Sequence, residues 1–434
     1  MRLPFYNWAD LEEQQRAELL RRPAASQHES IRSGVQAIIG AVRTRGDAAL
    51  VELTRKYDRA DISDFRVSAA EIKAAGDWLT TRQRIAIDLA IANVRKFHGQ
   101  QLPEAVSVET MPGVRCERVG QPIDAVGLYV PAGTAPLPSA AIMLAVPAGI
   151  AGCPKVILCT PPRPDGSADP AILVAASCSG VTEIYTVGGA QAIAAMAYGT
   201  TSIPKVRKIF GPGNAWVTSA KSVVSTDPLG AAIDMPAGPS EVLIIGDKNA
   251  SPEFVAADLL SQAEHGVDSQ VMFVTTDKSL ATAVTTEVDS QLLRLSRSDT
   301  AAVALENSRI IIVTDLNTAV DISNRYAPEH LILQIDRPRD ALPLIRNAGS
   351  VFVGRWTPES VGDYCSGTNH VLPTYGNAAT YSGLGVDQFM RYMTVQELSR
   401  DGLANLAAAV ISLAGLEGLD GHAAAVSRRL EAKP

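Results

Sequence analysis

The chain has 434 residues, of which 46% are hydrophobic and 20% are charged, with a formal net charge of −7. This length exceeds one ordinary hydrophobic core and predicts two or three domains. The negative charge and the lack of a basic run exclude a typical nucleic-acid-binding protein. The sequence has no apolar segment of about 20 residues that is free of charged and helix-breaking residues, so no membrane span is predicted.

Helices are predicted in the first hundred residues. Apolar residues recur at helical spacing over residues 10–20, 31–42, 48–57 and 82–97.

The first 22 residues mix acidic and basic side chains and have no apolar signal core, so we expect a cytoplasmic protein. Two β-prone runs, residues 106–110 and 114–119, flank Met111-Pro112-Gly113 and predict a hairpin.

From residue 123 onward, strands alternate with helices in two series. The predicted strands are 124–130, 155–159, 183–187, 207–210, 241–245, 270–275, 309–313, 331–335 and 350–353. The predicted helices are 140–151, 171–178, 190–198, 215–224, 252–264, 280–293, 318–325 and 341–347. Strands joined by single helices form parallel sheets with right-handed crossovers. We therefore predict an α/β protein with two tandem Rossmann-like parallel-sheet domains, a helical N-terminal region and a helical C-terminal tail. Residues 355–386 are predicted to be a long functional loop.

Glycine-rich turns follow several predicted strands of the first series: Pro131-Ala132-Gly133, Gly188-Gly189 and Gly211-Pro212-Gly213-Asn214. In an open parallel sheet, ligands bind beyond the carboxyl ends of the strands, and backbone N–H groups there can contact phosphates. None of these turns completes the G-x-G-x-x-G fingerprint. Spacing alone therefore leaves two interpretations open, a nucleotide site or tight turns without a ligand.

Gln262 and His265 are three residues apart near the end of an apolar helix, and Gly266 follows. Residues at this spacing share a helix face, so the two side chains are expected to point the same way. An imidazole is a common zinc ligand and an amide oxygen an unusual one. The alternative is a histidine that only favours the helix dipole.

Other candidates are scattered through the second half of the chain. Glu329-His330 immediately precedes a predicted strand and pairs a carboxylate with an imidazole, which suits proton transfer; the alternative is a charged pair at a strand entrance. Asp363 and His370 lie in the long loop, and Asp363 together with His422 can complete a zinc-ligand set.

Several runs of residues resemble one family, the histidinol dehydrogenases. They are YVPAG from Tyr129, VGGAQA from Val187, IFGPGNA from Ile209, IDMPAGPSEV from Ile233, LSQAEH from Leu260, APEH from Ala327 and TNHVLP from Thr368. They occur in the family's order between about residues 30 and 425. One departure is Ala132, where a second glycine is expected.

The resemblance implies that L-histidinol is oxidised to L-histidine with two NAD molecules reduced in sequence and one Zn²⁺ per subunit. It also implies a homodimer whose C-terminal segment reaches the neighbouring active site. The implied roles are Glu329 and His330 as the catalytic acid–base pair; Gln262, His265, Asp363 and His422 as metal ligands; Ser240, Gln262, His265, His330, Asp363, His370, Glu417 and His422 as substrate-binding residues; and Tyr129, Gln191 and Asn214 as cofactor-binding residues.

The expected domains follow the same resemblance. We expect an N-terminal helical arm (1–25), a first α/β domain (26–128 and 241–382), a second α/β domain on the cofactor side (129–240) and a C-terminal helical tail (383–434).

Three other functions compete with this interpretation. The first is an aldehyde dehydrogenase that uses a thiol of Cys116 or Cys153. The second is a zinc hydrolase with Glu329 or Glu264 as its base. The third is a binding protein without catalysis. The five cysteines are an odd number without a C-x-x-C pair, so disulfides are not expected.

Overall fold

The computed structural model describes residues 3–23, 28–132, 135–235 and 238–432, with only the backbone described for residues 28–30. Gly133 and the Pro236-Ala237 pair of the quoted motifs lie outside this part. The strands are β1 (Phe5–Asn7), β2 (Val106–Met111), β3 (Val114–Pro122), β4 (Ala125–Tyr129), β5 (Lys155–Thr160), β6 (Ile184–Thr186), β7 (Lys208–Phe210), β8 (Ala232–Ile233), β9 (Glu241–Gly246), β10 (Gln270–Thr275), β11 (Arg309–Ile312), β12 (His330–Gln334), β13 (Ser350–Val353) and β14 (Met390–Leu398).

The α-helices are α1 (Glu13–Leu19), α2 (His28–Arg45), α3 (Asp47–Tyr57), α4 (Ala69–Ala75), α5 (Thr81–His98), α6 (Pro138–Ala151), α7 (Pro170–Cys178), α8 (Gly189–Tyr198), α9 (Ala215–Thr226), α10 (Pro252–Ala263), α11 (Lys278–Leu292), α12 (Ser298–Glu306), α13 (Leu316–Tyr326), α14 (Pro338–Ala341), α15 (Glu359–Tyr364), α16 (Arg400–Leu416) and α17 (Asp420–Glu431). Short 3₁₀ turns cover Trp8–Asp10, Gly76–Trp78, Gly99–Gln101, Leu342–Leu344, Asn377–Ala379 and Val386–Phe389. Among the described residues, no helix is both long and apolar enough to cross a bilayer.

Two parallel sheets form the framework, which confirms the predicted α/β class. The five-stranded sheet has the order β6-β5-β4-β7-β8, and the six-stranded sheet has the order β1-β11-β10-β9-β12-β13. Their central strands are buried on both faces, as is usual when helices cover both sides of a parallel sheet. The two predicted series of strands and helices correspond to these two sheets.

The chain termini differ from the purely helical prediction. Phe5–Asn7 pairs in parallel with β11 as the edge strand of the six-stranded sheet. The predicted hairpin β2–β3 is confirmed, and β14 adds to it in antiparallel register, so the C-terminal segment begins with a strand. Alternation of polar and apolar residues over such short stretches does not distinguish an exposed edge strand from a helix end.

The helices of residues 28–98 pack on the five-stranded sheet. Val35 of α2 shares a core with Ile157 of β5, and Val94 of α5 shares another with Leu128 of β4. The expected domain that joined residues 26–128 to residues 241–382 differs from this packing. The apolar faces of these helices are complementary to whichever sheet is nearest, and sequence periodicity does not specify which sheet that is.

Candidate active site and metal centre

The candidate residues of the second half meet at the amino edge of the six-stranded sheet. Glu329 immediately precedes β12 and Ser240 immediately precedes β9. These strands are parallel neighbours, with His330 opposite Val242, so both begin at the same edge. The C-terminal end of α10 brings Gln262 to this edge, because a crossover helix runs antiparallel to the strands it connects. Ligands were expected beyond the carboxyl ends of the parallel strands, but this group of residues lies at the opposite edge of its sheet.

Three side chains form a compact group of potential metal ligands. His330, Glu359 and Asp363 each place one ligand atom within 4.8 Å of the others. Nε2 of His330 lies 3.6 Å from Oδ1 of Asp363, beyond normal hydrogen-bond distance. Glu359 accepts a hydrogen bond of 2.7 Å from the hydroxyl of Ser261.

Glu359 was not identified as a site residue from the sequence. Residues 355–386 were predicted to be a loop, but Glu359–Tyr364 forms α15. Glu359 and Asp363 are four residues apart on this helix and so share one face. Had the short helix been recognised, this spacing would have indicated a pair of carboxylates.

Gln262 is fully buried, and neither its Oε1 nor its Nε2 has a hydrogen-bond partner among the described residues. A buried amide without partners costs about 1–3 kcal/mol for each lost bond, and native proteins rarely keep one without a purpose. His330 Nε2 is likewise buried and unpaired. The amide oxygen of Gln262 and the imidazole nitrogen of His330 are of types that can bind zinc, although an amide oxygen is an unusual ligand.

His265 lies just beyond the helix rather than in its last turn, because α10 ends at Ala263. Nδ1 of His265 lies 3.2 Å from the hydroxyl of Ser240. His265 is exposed to solvent, but the protein around its imidazole ring desolvates the charged form and lowers the pKa of His265. The negative charge of Asp363 opposes this shift. The structure thus brings His265 and Ser240 together beside Asp363.

His370 also faces the group. Its Nε2 lies 3.2 Å from the hydroxyl of Ser139, in the first turn of α6. Burial lowers the pKa of His370, and the nearby charge of Asp363 opposes that shift. The helix predicted over residues 140–151 begins two residues earlier, at Pro138, so Ser139 lies inside it.

Glu329 and His330 are held by the main chain of one residue, Glu241. The Glu241 N–H donates to Oε2 of Glu329 at 2.8 Å, and the Glu241 carbonyl lies 3.0 Å from Nδ1 of His330. A carbonyl only accepts, so Nδ1 carries the proton and Nε2 of the neutral ring is free to accept one.

The buried charges shift one another's pKa values. Burial raises the pKa of Glu329 to about 8, although His330 and the Glu241 N–H oppose this. Burial lowers the pKa of His330, but Glu329 and Asp363 outweigh it and the net shift is upward. Burial also raises the pKa of Glu359. For Asp363 the effects of His330 and His370 exceed that of burial and hold its pKa below the usual range.

Glu417 and His422 are not part of this group within the chain. Glu417 follows α16, His422 lies in α17, and both are exposed. No hydrogen bond or ion pair among the described residues connects them to the group at the sheet edge.

The residues expected to bind a dinucleotide lie at the carboxyl edge of the five-stranded sheet. The Tyr129 hydroxyl accepts a hydrogen bond from the Gly189 N–H at 3.0 Å, and Gln191 donates to Asp58 at 3.3 Å. Asn214 caps α9 by accepting hydrogen bonds from the N–H groups of residues 216 and 217. Tyr129 and Gln191 are therefore close together, and Asn214 follows the neighbouring strand β7.

The candidate thiols lie elsewhere. Burial raises the pKa of Cys153 to about 11, and its sulfur contacts the Phe389 carbonyl at 3.6 Å. Cys116 lies in β3 of the antiparallel sheet, opposite Gln396. A raised pKa keeps a thiol protonated and unreactive, which disfavours Cys153 as a nucleophile.

Comparison with known proteins identifies the family. A model of the family described as "Histidinol dehydrogenase" matches residues 20–430. A histidinol dehydrogenase of Vibrio parahaemolyticus is 56% identical over 424 residues, which are 98% of this chain and 97% of that protein. This chain belongs to the histidinol dehydrogenase family.

Other histidinol dehydrogenases agree with this placement. One from Yersinia pestis is 53% identical over 98% of this chain and 95% of its own length. The crystal structure of a histidinol dehydrogenase from Elizabethkingia anophelis is 44% identical, superposes with a TM-score of 0.94, and covers 99% of this chain and 98% of that one. As a member of the histidinol dehydrogenase family, the chain is an oxidoreductase, and the fold predicted from its sequence is confirmed.

Proposed function

We propose that this enzyme oxidises L-histidinol to L-histidine in two steps through a bound aldehyde, with two NAD molecules and one Zn²⁺ per subunit. The observation that best supports this function is the meeting of His330, Asp363 and Glu359 at the sheet edge that also holds Gln262, whose buried amide has no hydrogen-bond partner among the described residues. Such a group suits a substrate that carries nitrogen donors and gives up protons.

The expected metal ligands fit zinc by chemistry. Gln262, His265 and Asp363 offer an amide oxygen, an imidazole and a carboxylate, and His422 of the partner subunit would supply a second imidazole. When bound, the metal supplies a fixed positive charge that orients the imidazole and amine of histidinol. Glu359 lies close enough to Asp363 to orient that ligand.

In the first oxidation, His330 would take the proton of the substrate hydroxyl on Nε2. In the neutral ring, which is the form that acts as a base, the Glu241 carbonyl fixes the tautomer that leaves Nε2 free. NAD would be held by Tyr129, Gln191 and Asn214 and would supply the hydride acceptor. Among the described residues, Gln191 bonds through its Nε2 and Asn214 through its Oδ1, and no hydrogen bond there uses the other amide atom of either side chain.

In the second oxidation, Glu329 would take a proton from the water that adds to the aldehyde. Burial raises its pKa to about 8, which places it near the pH at which an effective general base works. Its Oε2 accepts a bond from the Glu241 N–H, so the carboxyl is held in one orientation.

Ser240, His370 and Glu417 would complete the substrate contacts, with Glu417 contributed by the neighbouring subunit. The homodimer, the N-terminal arm 1–25, the cofactor-side domain that contains residues 129–240, the C-terminal tail 383–434 and the cytoplasmic location belong to the same proposal.

The test is a spectrophotometric assay with L-histidinol and NAD, before and after chelation. We expect two reduced nicotinamides for each histidinol consumed and loss of turnover after chelation, restored by Zn²⁺. Absence of nicotinamide reduction would overturn the proposal, and product formation without it would favour the zinc hydrolase. Histidinol binding without any product would favour a binding protein.

A further inference from the structure

We propose that Arg22 is a positioning residue for Glu329 and His330, acting through Glu241. This inference rests on the proposed function, because it takes Glu329 and His330 as the proton carriers. It assigns a role in the reaction to the N-terminal segment, which lies 219 positions before Glu241 in the chain.

Arg22 donates hydrogen bonds to both oxygens of the Glu241 carboxylate. Its Nε lies 2.5 Å from Oε1 and its Nη2 lies 3.0 Å from Oε2. Nη2 also donates to the Tyr326 carbonyl at 2.7 Å, and the guanidinium carbon lies 4.0 Å from the centroid of the Tyr326 ring. A bidentate, charge-assisted pair fixes both position and orientation, and the stacked ring restricts the guanidinium further.

A third donor holds the same carboxylate. The Tyr375 N–H donates to Oε1 of Glu241 at 3.0 Å. Tyr375 adopts a left-handed backbone conformation with φ of 58°, which is unfavourable for a residue with a side chain. Its hydroxyl bonds to the Pro23 carbonyl at 3.1 Å, so Tyr375 connects Glu241 to the residue next to Arg22.

The main chain of Glu241 is the support of the catalytic pair. Its N–H holds Glu329 and its carbonyl holds His330, as described above. The side chain and both main-chain groups of one residue are therefore occupied, and Glu241 is only 1% exposed. A rotation of Glu241 would displace Glu329 and His330 together.

The ion pair of Arg22 and Glu241 is buried, so the position of Glu241 depends on Arg22. The side chain of Arg22 is 14% exposed and that of Glu241 is 1% exposed. Removing one partner of a buried ion pair leaves an uncompensated charge, which strongly destabilises the local structure. Without Arg22 the Glu241 carboxylate is expected to turn toward water and to carry its own amide and carbonyl away from Glu329 and His330.

The experiment compares three variants of the full-length enzyme with histidinol and NAD. Arg22→Lys keeps the charge but loses the bidentate grip, Arg22→Met loses both, and Arg22→Met with Glu241→Gln removes the charge from both partners. Misplacing catalytic groups by about 1 Å costs on the order of 100-fold in rate. We therefore expect each variant to lower kcat by about 10- to 100-fold, with the KM for histidinol changed less than about threefold, and to shift the pH profile of kcat.

The double variant separates positioning from stability. It has no uncompensated buried charge, so its melting temperature should recover toward that of the wild type, whereas kcat should stay low. Recovery of kcat together with the melting temperature would overturn the proposal. An unchanged kcat and pH profile in folded Arg22→Met would also overturn it.

Arg325→Met is the matched control. Arg325 pairs with Glu13 of the N-terminal segment and lies over the Trp8 ring, but this pair does not reach Glu241. It should leave kcat and the pH profile unchanged, and an equal loss would show that docking of the segment alone matters, which overturns the proposal. If the wild type itself does not reduce NAD with histidinol, the proposed function fails instead, and this result is distinct from the outcomes above.

Discussion

Gln262 and Gln270 are both buried glutamines near the amino edge of the six-stranded sheet, but among the described residues only the side chain of Gln270 has hydrogen-bond partners. Gln270 donates to the Asn307 carbonyl at 2.9 Å and accepts from the Tyr326 hydroxyl at 2.8 Å. Neither polar atom of the Gln262 side chain has a partner within the described part of the chain. The two residues have the same side chain and similar burial, so the difference in hydrogen bonding supports the proposal that Gln270 is structural and that Gln262 binds a ligand.

Replacing Gln262 with Leu should therefore have opposite effects on stability and on metal binding. In chelator-treated enzyme we expect no loss of unfolding free energy, or a gain of about 1 kcal/mol, because two unpaired buried groups are removed. Zinc content after dialysis against equimolar metal should fall well below one per subunit. Urea unfolding and elemental analysis measure the two effects.

Gln270→Leu is the control for this substitution. It breaks the hydrogen bonds of Gln270 with the Arg21 carbonyl, the Asn307 carbonyl and the Tyr326 hydroxyl, and it should destabilise the protein by about 2–4 kcal/mol without lowering zinc content. If Gln262→Leu destabilised the metal-free enzyme as much and bound zinc normally, Gln262 would be a structural residue and not a ligand.

Replacing Glu329 with Gln should spare the first oxidation and impair the second. Gln keeps an oxygen for the Glu241 N–H but cannot take a proton from water, so oxidation of the aldehyde should slow by about 10²–10⁴-fold. Oxidation of histidinol to the aldehyde should change less than about tenfold. Single-turnover measurements started from histidinol and from histidinal separate the steps, and an equal loss in both would refute the assignment.

The same carboxyl predicts a pH dependence. A general base works when deprotonated, and burial raises the pKa of Glu329 to about 8, so the second oxidation should accelerate as pH rises through about 8. Glu329→Gln should lack this rise. Glu264→Gln tests the alternative base and is expected to retain the pH dependence.

Mixed dimers test whether His422 acts in the neighbouring subunit. Co-refolding Glu329→Gln chains with His422→Ala chains gives hybrid dimers with one intact site, provided that His422 is supplied across the interface. Random pairing makes half of the dimers hybrids, so about a quarter of the wild-type activity should return. If His422 serves its own chain, every site carries a defect and the mixture should stay as inactive as its components.

Asp258 predicts an effect on stability away from the site. It is buried in α10, accepts a hydrogen bond from Gln334 at 3.1 Å, and burial raises its pKa to about 7. Because the folded pKa lies above the unfolded value of about 3.9, this group costs stability as pH rises from about 4 to 7, and the full cost remains above 7. Asp258→Asn should therefore stabilise the enzyme at pH 8, by about 1–4 kcal/mol, and have little effect near pH 4.

Asp315→Asn is the matched control for pH. Asp315 is exposed and caps α13, and hydrogen bonds from the Thr318 N–H and from threonine hydroxyls lower its pKa. Its carboxylate thus favours folding above its unfolded pKa, so Asp315→Asn should lower stability at pH 8 rather than raise it. Urea unfolding at pH 4.5, 6 and 8 measures both slopes, and a pH-independent effect of Asp258→Asn would contradict the buried-carboxylate explanation.

Most regular elements were predicted from sequence because each depends on near neighbours. Most strands and helices between residues 125 and 353 match their predicted positions closely, since alternation and glycine-bounded ends are local signals. The predicted helix 341–347 is wrong, because α14 ends at Ala341 and a 3₁₀ turn covers Leu342–Leu344, and β8 and α12 were not predicted. The predictions failed for segments that are short or lie at an edge, which are Phe5–Asn7, Glu359–Tyr364 and Met390–Leu398. Such segments carry too few residues for their period to be recognised, or they lie where both faces are partly exposed.

The sequence by itself determined the α/β class, the family and the candidate residues, because these follow from composition, period and motif. Only the tertiary structure decided that Glu329 and His330 lie at the amino edge of their sheet, that His330 meets Glu359 and Asp363, and that Arg22 holds the residue that bonds to Glu329 and His330. The physical reason is that these contacts join side chains from distant segments. Their positions follow from strand order and helix packing, which local residue patterns do not encode.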